Sequence, residues 1–239
     1  MNKFCSDIQC VILVGGFGLR LGELTKEIPK PLVRVLEKPF LGYLIDQLVS
    51  QGFHKFIFLS GYQSEKINLF LSEHYKTDPL TIKCISEPYP LGTGGAIAAA
   101  SMHLEERFLL LNGDTYLPID YGSLIAKFTN PKYEYMVGHK GPVYDEPCNI
   151  STVHGRYVSS YGDSSKESSH VDCGVYLFTR SYFEKNFQEN KFGLSLIYKD
   201  MIDDRCLHLV ETVTPYFDIG TPQRLKRFEE FLEGNNESK

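Results

Sequence analysis

The stretch Val11–Val33, VILVGGFGLRLGELTKEIPKPLV, decides how this chain is read. Val11–Val14 are an apolar, partly β-branched run of the kind that forms a buried parallel strand. The run breaks into Gly15, Gly16 and Gly18, where a missing Cβ lets backbone N–H groups turn toward phosphate oxygens. Arg20 then offers a forked cation, and Lys30, set between Pro29 and Pro31, a point charge. Loop and cations together suit a nucleoside triphosphate. Two commoner phosphate loops are excluded by spacing: a dinucleotide fingerprint needs a third glycine where Leu21 stands, and no Gly-Lys-Ser/Thr follows. A glycine-rich turn with no ligand remains the plain alternative for the loop alone.

Further strand-like runs at Lys55–Leu59, Thr81–Ile85 and Phe108–Leu111 alternate with helix-like segments at Phe40–Gln51, Ser64–His74 and Gly94–Leu104. This alternation predicts an α/β fold with a mostly parallel sheet covered on both faces. The ligand crevice is expected beyond the carboxyl ends of the strands. From Tyr133 the pattern turns strand-like, with runs at Tyr133–His139, Asn149–His154, Arg156–Tyr161 and Val171–Phe178; His154–Gly155–Arg156 reads as a hairpin turn. Helices are expected at Leu194–Asp203 and Thr221–Leu232, and a frayed tail over Gly234–Lys239. The 239 residues, 42% hydrophobic, suit a single domain over 1–239, with a nucleotide half at about 8–130 and a sugar half at about 131–232.

Composition excludes several classes. A net charge of −5 with no Lys/Arg-rich run argues against a nucleic-acid binder, so anionic substrates must meet local cations or metal. Six cysteines without C-x-x-C spacing point to free thiols and no zinc. No apolar run reaches membrane-spanning length, and Met1–Gln9 has no signal-peptide layout, which makes the cytoplasm the expected compartment and a membrane no partner.

Three more segments carry chemistry. In Leu109–Tyr116, LLLNGDTY, an apolar strand delivers Asp114 to its carboxyl end, where a carboxylate can hold a divalent cation or merely cap the next turn. In Glu87–Ala100, EPYPLGTGGAIAAA, the glycines Gly92, Gly94 and Gly95 would let the backbone approach a planar base or ribose. Tyr216–Pro222, YFDIGTP, precedes a helical run.

The strings G-G-x-G-x-R-L with P-K-P-L, E-x-x-x-L-G-T-G-G-A and D-I-G-T-P resemble the signatures of the sugar-1-phosphate nucleotidylyltransferases, over nearly the whole chain from Gln9 to Leu232. The resemblance implies a three-layer, Rossmann-like α/β/α nucleotidyltransferase domain with a mixed, mostly parallel sheet, and chemistry that needs magnesium. It implies phosphate roles for Arg20 and Lys30, metal binding by Asp114 and Asp218, and nucleotide contacts from Gly15, Gly16, Gly18, Glu87, Gly92, Thr93, Gly94 and the Ser60–Tyr62 turn. On the sugar side it implies Asn149, Asp172 and Gly174, with Leu194–Tyr198 resembling a helix of one subgroup. Tyr144, Tyr157, Tyr161, Tyr176 and Tyr198 are candidates to line that pocket or to be ordinary core.

The implied reaction joins a nucleoside triphosphate to a sugar 1-phosphate and releases pyrophosphate, for surface polysaccharide precursors. The short single-domain members include guanylyltransferases acting on mannose or heptose 1-phosphates, and a homodimer would not be unusual among them. Two departures stand out: Leu19 replaces a usual Ser or Thr, and Asp163 stands near the position of a sugar-phosphate lysine, with Lys166 three residues on as its substitute. A glycosyltransferase of similar architecture is a rival reading, though Asp114–Thr115–Tyr116 is no D-x-D. The departures also leave a non-catalytic sugar-nucleotide-binding protein open.

Overall fold

The computed structural model describes residues 3–128, 130–164, 167–186 and 191–236. A short helix α1 (Lys3–Ser6) precedes β1 (Gln9–Leu13), and a small ribbon of β2 (Arg34–Val35) and β3 (Lys38–Pro39) leads into α2 (Phe40–Ser50). Then come β4 (Lys55–Ser60), α3 (Ser64–His74), β5 (Thr81–Ser86), α4 (Gly92–Ala99), β6 (Arg107–Asn112), β7 (Thr115–Tyr116) and α5 (Tyr121–Ile125). The second half holds β8 (Glu134–Lys140), β9 (Ile150–Val153), β10 (Tyr157–Tyr161), β11 (His170–Thr179), α6 (Arg180–Asn186), α7 (Leu194–Asp203), β12 (Leu207–Thr212), β13 (Phe217–Asp218) and α8 (Pro222–Asn236).

One sheet of nine strands, ordered β5-β4-β1-β6-β11-β8-β12-β10-β9, runs through both halves. β1 is parallel to β4 and β6 on its two sides, and Cys10, Val11 and Ile12 have no exposed surface, as an apolar run of that kind requires. Successive side chains divide between the faces. Cys10, Ile12, Phe56, Phe58, Leu109 and Leu111 pack under α2, α3 and α5, whereas Val11, Ile57, Leu59, Phe108 and Leu110 pack under α4, α6 and α7. α2 presents Leu41, Leu44, Ile45 and Leu48 to the first face, the spacing of one helical stripe. Each such side chain contributes about 1.5–3 kcal/mol of burial, so helices seat firmly on both faces.

The fold is a mixed α/β arrangement, and the expectation of a mostly parallel sheet is corrected. β5, β4, β1 and β6 are mutually parallel, and β12 is parallel to β8. β11, however, runs antiparallel to β6, β8 and β9, and β10 antiparallel to β9 and β12. The reason is connection length. Crossover helices let β1, β4, β5 and β6 align, while β9 and β10 are joined by the His154–Gly155 turn. His154 and Gly155 both have positive φ, 53° and 66°, and Arg156 N–H donates to the Val153 carbonyl at 3.3 Å, the geometry of a type I′ hairpin. At the other end α8 continues through Gly234 to Asn236, so that part of the expected frayed tail is helical.

Because β1 and β6 are parallel neighbours, their carboxyl ends lie side by side, bringing the Gly15–Gly18 loop next to Asn112–Asp114. Gly113 N–H donates to the Leu13 carbonyl at 2.9 Å and closes that junction. A second ribbon, β7 with β13, pairs Thr115 with Asp218 across antiparallel strands. Val35, Phe40, Phe217, Ile219 and Phe228 form a third apolar cluster, which anchors this ribbon on α8.

Candidate active site

A cavity of about 550 Å³ opens where these ends meet. Gly15, Gly16, Phe17, Lys30, Gly61, Tyr62, Glu87–Pro90, Gly92, Thr93, Asn112 and Asp114 are among the residues of its wall. The first half of the sequence prediction therefore converges.

Lys30 sits in a single 3₁₀ turn, Lys30–Leu32, held by Leu32 N–H to the Pro29 carbonyl at 2.8 Å. The prolines fix the turn and leave Lys30 only 7% exposed. Its ammonium donates to Asp114 Oδ2, while Thr115 Oγ1 donates to Asp114 Oδ1 at 3.3 Å. Gly18 packs on the Lys30 stem, and its carbonyl accepts from Thr25 Oγ1 at 2.9 Å. Thr25 is buried and gave no signal in the sequence beyond lying near the loop. A Cβ at Gly16 would meet nothing within 4 Å, so no protein atom demands glycine there. Arg20 is exposed and stands outside the cavity wall, its guanidinium near Gly220. The side chain of Leu19 lies outside the described residues.

Glu87 faces Gly15 and Gly61, and its Oε2 accepts from Leu91 N–H at 2.7 Å. Burial pushes its carboxyl up and the Leu91 hydrogen bond opposes this. Tyr62 stacks near Phe17 with ring centroids 5.3 Å apart and donates its hydroxyl to the Lys26 carbonyl, while Ser60 is buried in a hydroxyl cluster with Ser64. The glycines of the following segment also have a packing reason of their own. A Cβ at Gly92, where φ is +74°, would meet the Phe192 carbonyl oxygen at 2.5 Å, and one at Gly94 the Phe192 ring at 2.5 Å. Gly94 N–H and Gly95 N–H donate to that same carbonyl, and Thr93 Oγ1 accepts from Leu194 N–H at 2.9 Å. These glycines thus admit Phe192, and Gly92 and Thr93 also border the cavity.

Asp218 joins Asp114 through the β7–β13 ribbon, with Ile219 N–H donating to the Asp114 carbonyl at 3.2 Å. Asp218 Oδ1 accepts from Gly220 N–H at 2.7 Å and Oδ2 from Arg224 Nη1 at 3.0 Å. Burial raises the Asp218 carboxyl; Gly220 and Arg224 oppose this, and the charges of Glu146 and Asp114 add to it. Asp114 lines the cavity and Asp218 is set beside it by the ribbon, and two carboxylates with hard oxygens fit a divalent cation. Arg224, Glu146 and Tyr216 were missed in the sequence, because the contacts that bring Glu146 to Tyr216 and Arg224 span 70 and 78 residues and no spacing joins them.

The sugar-side residues form a separate cluster that touches the cavity through Asn112. Asn149 Oδ1 accepts from Asp172 N–H at 3.3 Å, and Gly174 packs against the Asn112 side chain. Asp172 is heavily engaged: Oδ1 accepts from Gly174 N–H at 2.8 Å, and Oδ2 from the hydroxyls of Tyr161 and Tyr176 at 2.9 and 2.6 Å. Burial raises its carboxyl, and these donors oppose the rise. Tyr198 closes the cluster, its ring 4.6 Å from that of Tyr161. Tyr144 instead lies under Arg227, and Tyr157 beside His208. Asp163 is exposed; Lys166 lies outside the described residues.

The nucleotidyl transferase family model matches residues 9–147, and the chain belongs to that family. It is therefore an enzyme of nucleotidyl transfer, and the resemblance to the sugar-1-phosphate nucleotidylyltransferases is borne out. Similar proteins include two named D-glycero-alpha-D-manno-heptose 1-phosphate guanylyltransferase. That of Campylobacter jejuni is 30% identical over 92% of this chain and 98% of its own length. That of Aneurinibacillus thermoaerophilus is 27% identical over 95% and 99%. Among solved structures, HddC from Yersinia pseudotuberculosis, complexed with GMP-PN, superposes with a TM-score of 0.81 at 27% identity, covering 94% of this chain and 99% of that one. Among the described residues no helix is long and apolar enough to cross a membrane, and all six cysteines are free.

Proposed function

We propose that the protein transfers a guanylyl group from GTP to a heptose or mannose 1-phosphate, as one three-layer, Rossmann-like domain in the cytoplasm. The observation that carries the reading is the β7–β13 ribbon, which pairs Asp218 with Thr115 and so sets it beside Asp114, with Lys30 on Asp114 at the wall of the cavity. The names of the full-length relatives support the sugar class and the base. Glu87 supports the base as well: an ionised carboxylate only accepts hydrogen bonds, and guanine offers two adjacent donors, N1–H and N2–H₂.

In this reading a phosphate oxygen of the sugar forms a bond to the α-phosphorus of GTP while the bond to the bridging oxygen breaks and pyrophosphate departs. The nucleophile is already an anion, so no general base is required, and catalysis is positioning with charge neutralisation. The open face of Gly16 receives phosphate oxygens, Lys30 draws the reacting phosphates together from the wall, and Arg20 holds pyrophosphate at the Gly220 side. Magnesium held by Asp114 and Asp218 would supply further neutralisation of the developing charge. Asn149, Asp172 and Gly174 shape the sugar end, in a sugar half that shares the sheet with the nucleotide half.

The test is a matrix of nucleoside triphosphates against sugar 1-phosphates with magnesium, read by pyrophosphate release. GTP with a manno-configured 1-phosphate should give the largest rate. Nucleoside diphosphate release from a sugar nucleotide would instead support a glycosyltransferase, and binding without turnover across the panel a sensor.

A further inference from the structure

Asp218 stands on a two-residue strand, which by itself fixes its side chain poorly. What fixes it comes from α8 and from the turn Val143–Glu146. Arg224, in the first turns of α8, donates from Nη1 to Asp218 Oδ2 at 3.0 Å and to Glu146 Oε1, and from Nη2 to Asp145 Oδ2 at 3.2 Å. Both acids are themselves secured. Tyr216 donates its hydroxyl to Glu146 Oε2, and Arg227 donates from Nη1 to Asp145 Oδ1 at 2.5 Å while lying over Tyr144 at 4.7 Å. The turn is closed by Val143 N–H to the Glu146 carbonyl and Glu146 N–H to the Val143 carbonyl, at 3.1 and 2.8 Å. The Arg224 side chain is only 13% exposed and Asp218 17%, so the contacts are shielded from water.

Arg224 is absent from the cavity wall and its fork is committed to three carboxylates, which leaves it no part as a phosphate arm. Lys30 differs: it is long-stemmed, lines the cavity and meets a single acid. We infer that Arg224, braced by Glu146 and Asp145, is a positioning residue that holds Asp218 in the orientation a divalent cation needs. The inference rests on the reading of Asp218 as a metal ligand. Asp218 Oδ1 is taken once by Gly220 and Oδ2 once by Arg224, so each oxygen keeps a lone pair, directed by those two bonds. Partners of a ligand that act in this way set metal affinity by about 10–100-fold.

Charge alone predicts the reverse. Removing Arg224 deletes a positive charge and leaves Asp145, Glu146 and Asp218 less compensated, which would draw a cation in more tightly. Arg224→Ala therefore separates the two effects. Mn²⁺ alone is titrated into the full chain and followed by the paramagnetic resonance of the free ion, with thermal unfolding and GTP affinity in chelator measured alongside. Positioning predicts Mn²⁺ affinity about tenfold weaker in Arg224→Ala. GTP affinity in chelator should be unchanged, and turnover partly recovered at raised metal. Arg224→Lys, which keeps the charge and loses the fork, should show the same weakening and serves where the alanine variant fails to fold. Mn²⁺ affinity equal to or tighter than wild type in either folded variant overturns the inference. Asp218→Asn is the control beneath it: if Mn²⁺ affinity survives that change, the metal-ligand reading itself fails, a result distinct from any given by Arg224.

Discussion

Glu134, at the start of β8, ties folding stability to pH. It is 5% exposed, and its Oε2 accepts from Thr179 N–H at 2.8 Å. Burial pushes its carboxyl from the ordinary 4.5 up to about 7, against the opposing pull of Thr179 and Arg107. The folded chain thus keeps this proton where the unfolded chain has released it. In that interval the native state binds more protons, so stability falls as pH rises. The contribution is fully present below about pH 4.5 and gone above about pH 7. At about 1.4 kcal/mol per pH unit, the interval amounts to about 3.5 kcal/mol. Glu134→Gln keeps a carbonyl oxygen for Thr179 and has no charge to desolvate. Urea unfolding at pH 5 and pH 8, followed by circular dichroism, isolates the effect, because every other titration cancels in the difference between variant and wild type. The variant's advantage should grow by about 2.5 kcal/mol from pH 5 to pH 8, part of the effect being already present at pH 5. A difference that stays constant across that range would refute the argument.

Asp114→Asn should keep the fold and lose turnover by about a hundredfold or more, since an amide cannot replace the metal-binding charge; near-normal rates in the folded variant would remove Asp114 from the metal site. Lys30→Ala should raise the KM for sugar 1-phosphate and slow turnover, and a change confined to nucleotide affinity would misplace Lys30. Gly92→Ala should cost about 1–2 kcal/mol for its left-handed backbone alone, with a further loss from the clash with Phe192, seen as a lowered urea midpoint; an unchanged midpoint would contradict the packing described for Phe192.

The first half of the chain was legible because its signals are local. An apolar run followed by glycines specifies both β1 and its loop, and parallel β1 and β6 bring the loop to Asp114 without further information. His154–Gly155 likewise announced its own turn. Strand direction in the second half was not legible, because the nearly continuous buried run of β11 reads the same whether it meets β6 parallel or antiparallel. The packing demand on Gly92 and Gly94 was not legible, because Phe192, whose carbonyl and ring they admit, lies far along the chain. Arg224 shows the same limit more sharply. On α8 it is one more basic residue of a polar helix, and only the folded chain sets Glu146 and Asp218 on either side of it.

The β7–β13 ribbon has a consequence for the order of assembly during synthesis. Asp114 and Asp218 stand about a hundred residues apart, and closing so long a loop is entropically only slightly dearer than closing one half its length. Time is the greater constraint. A chain translated as far as Thr212 already contains every strand of the main sheet, yet it has one of the two acids and none of α8. The scaffold can therefore collapse on the ribosome while the chemistry is still missing. On the proposed reading of Asp218, competence waits for the segment after Thr212, whereas the strands of the main sheet do not.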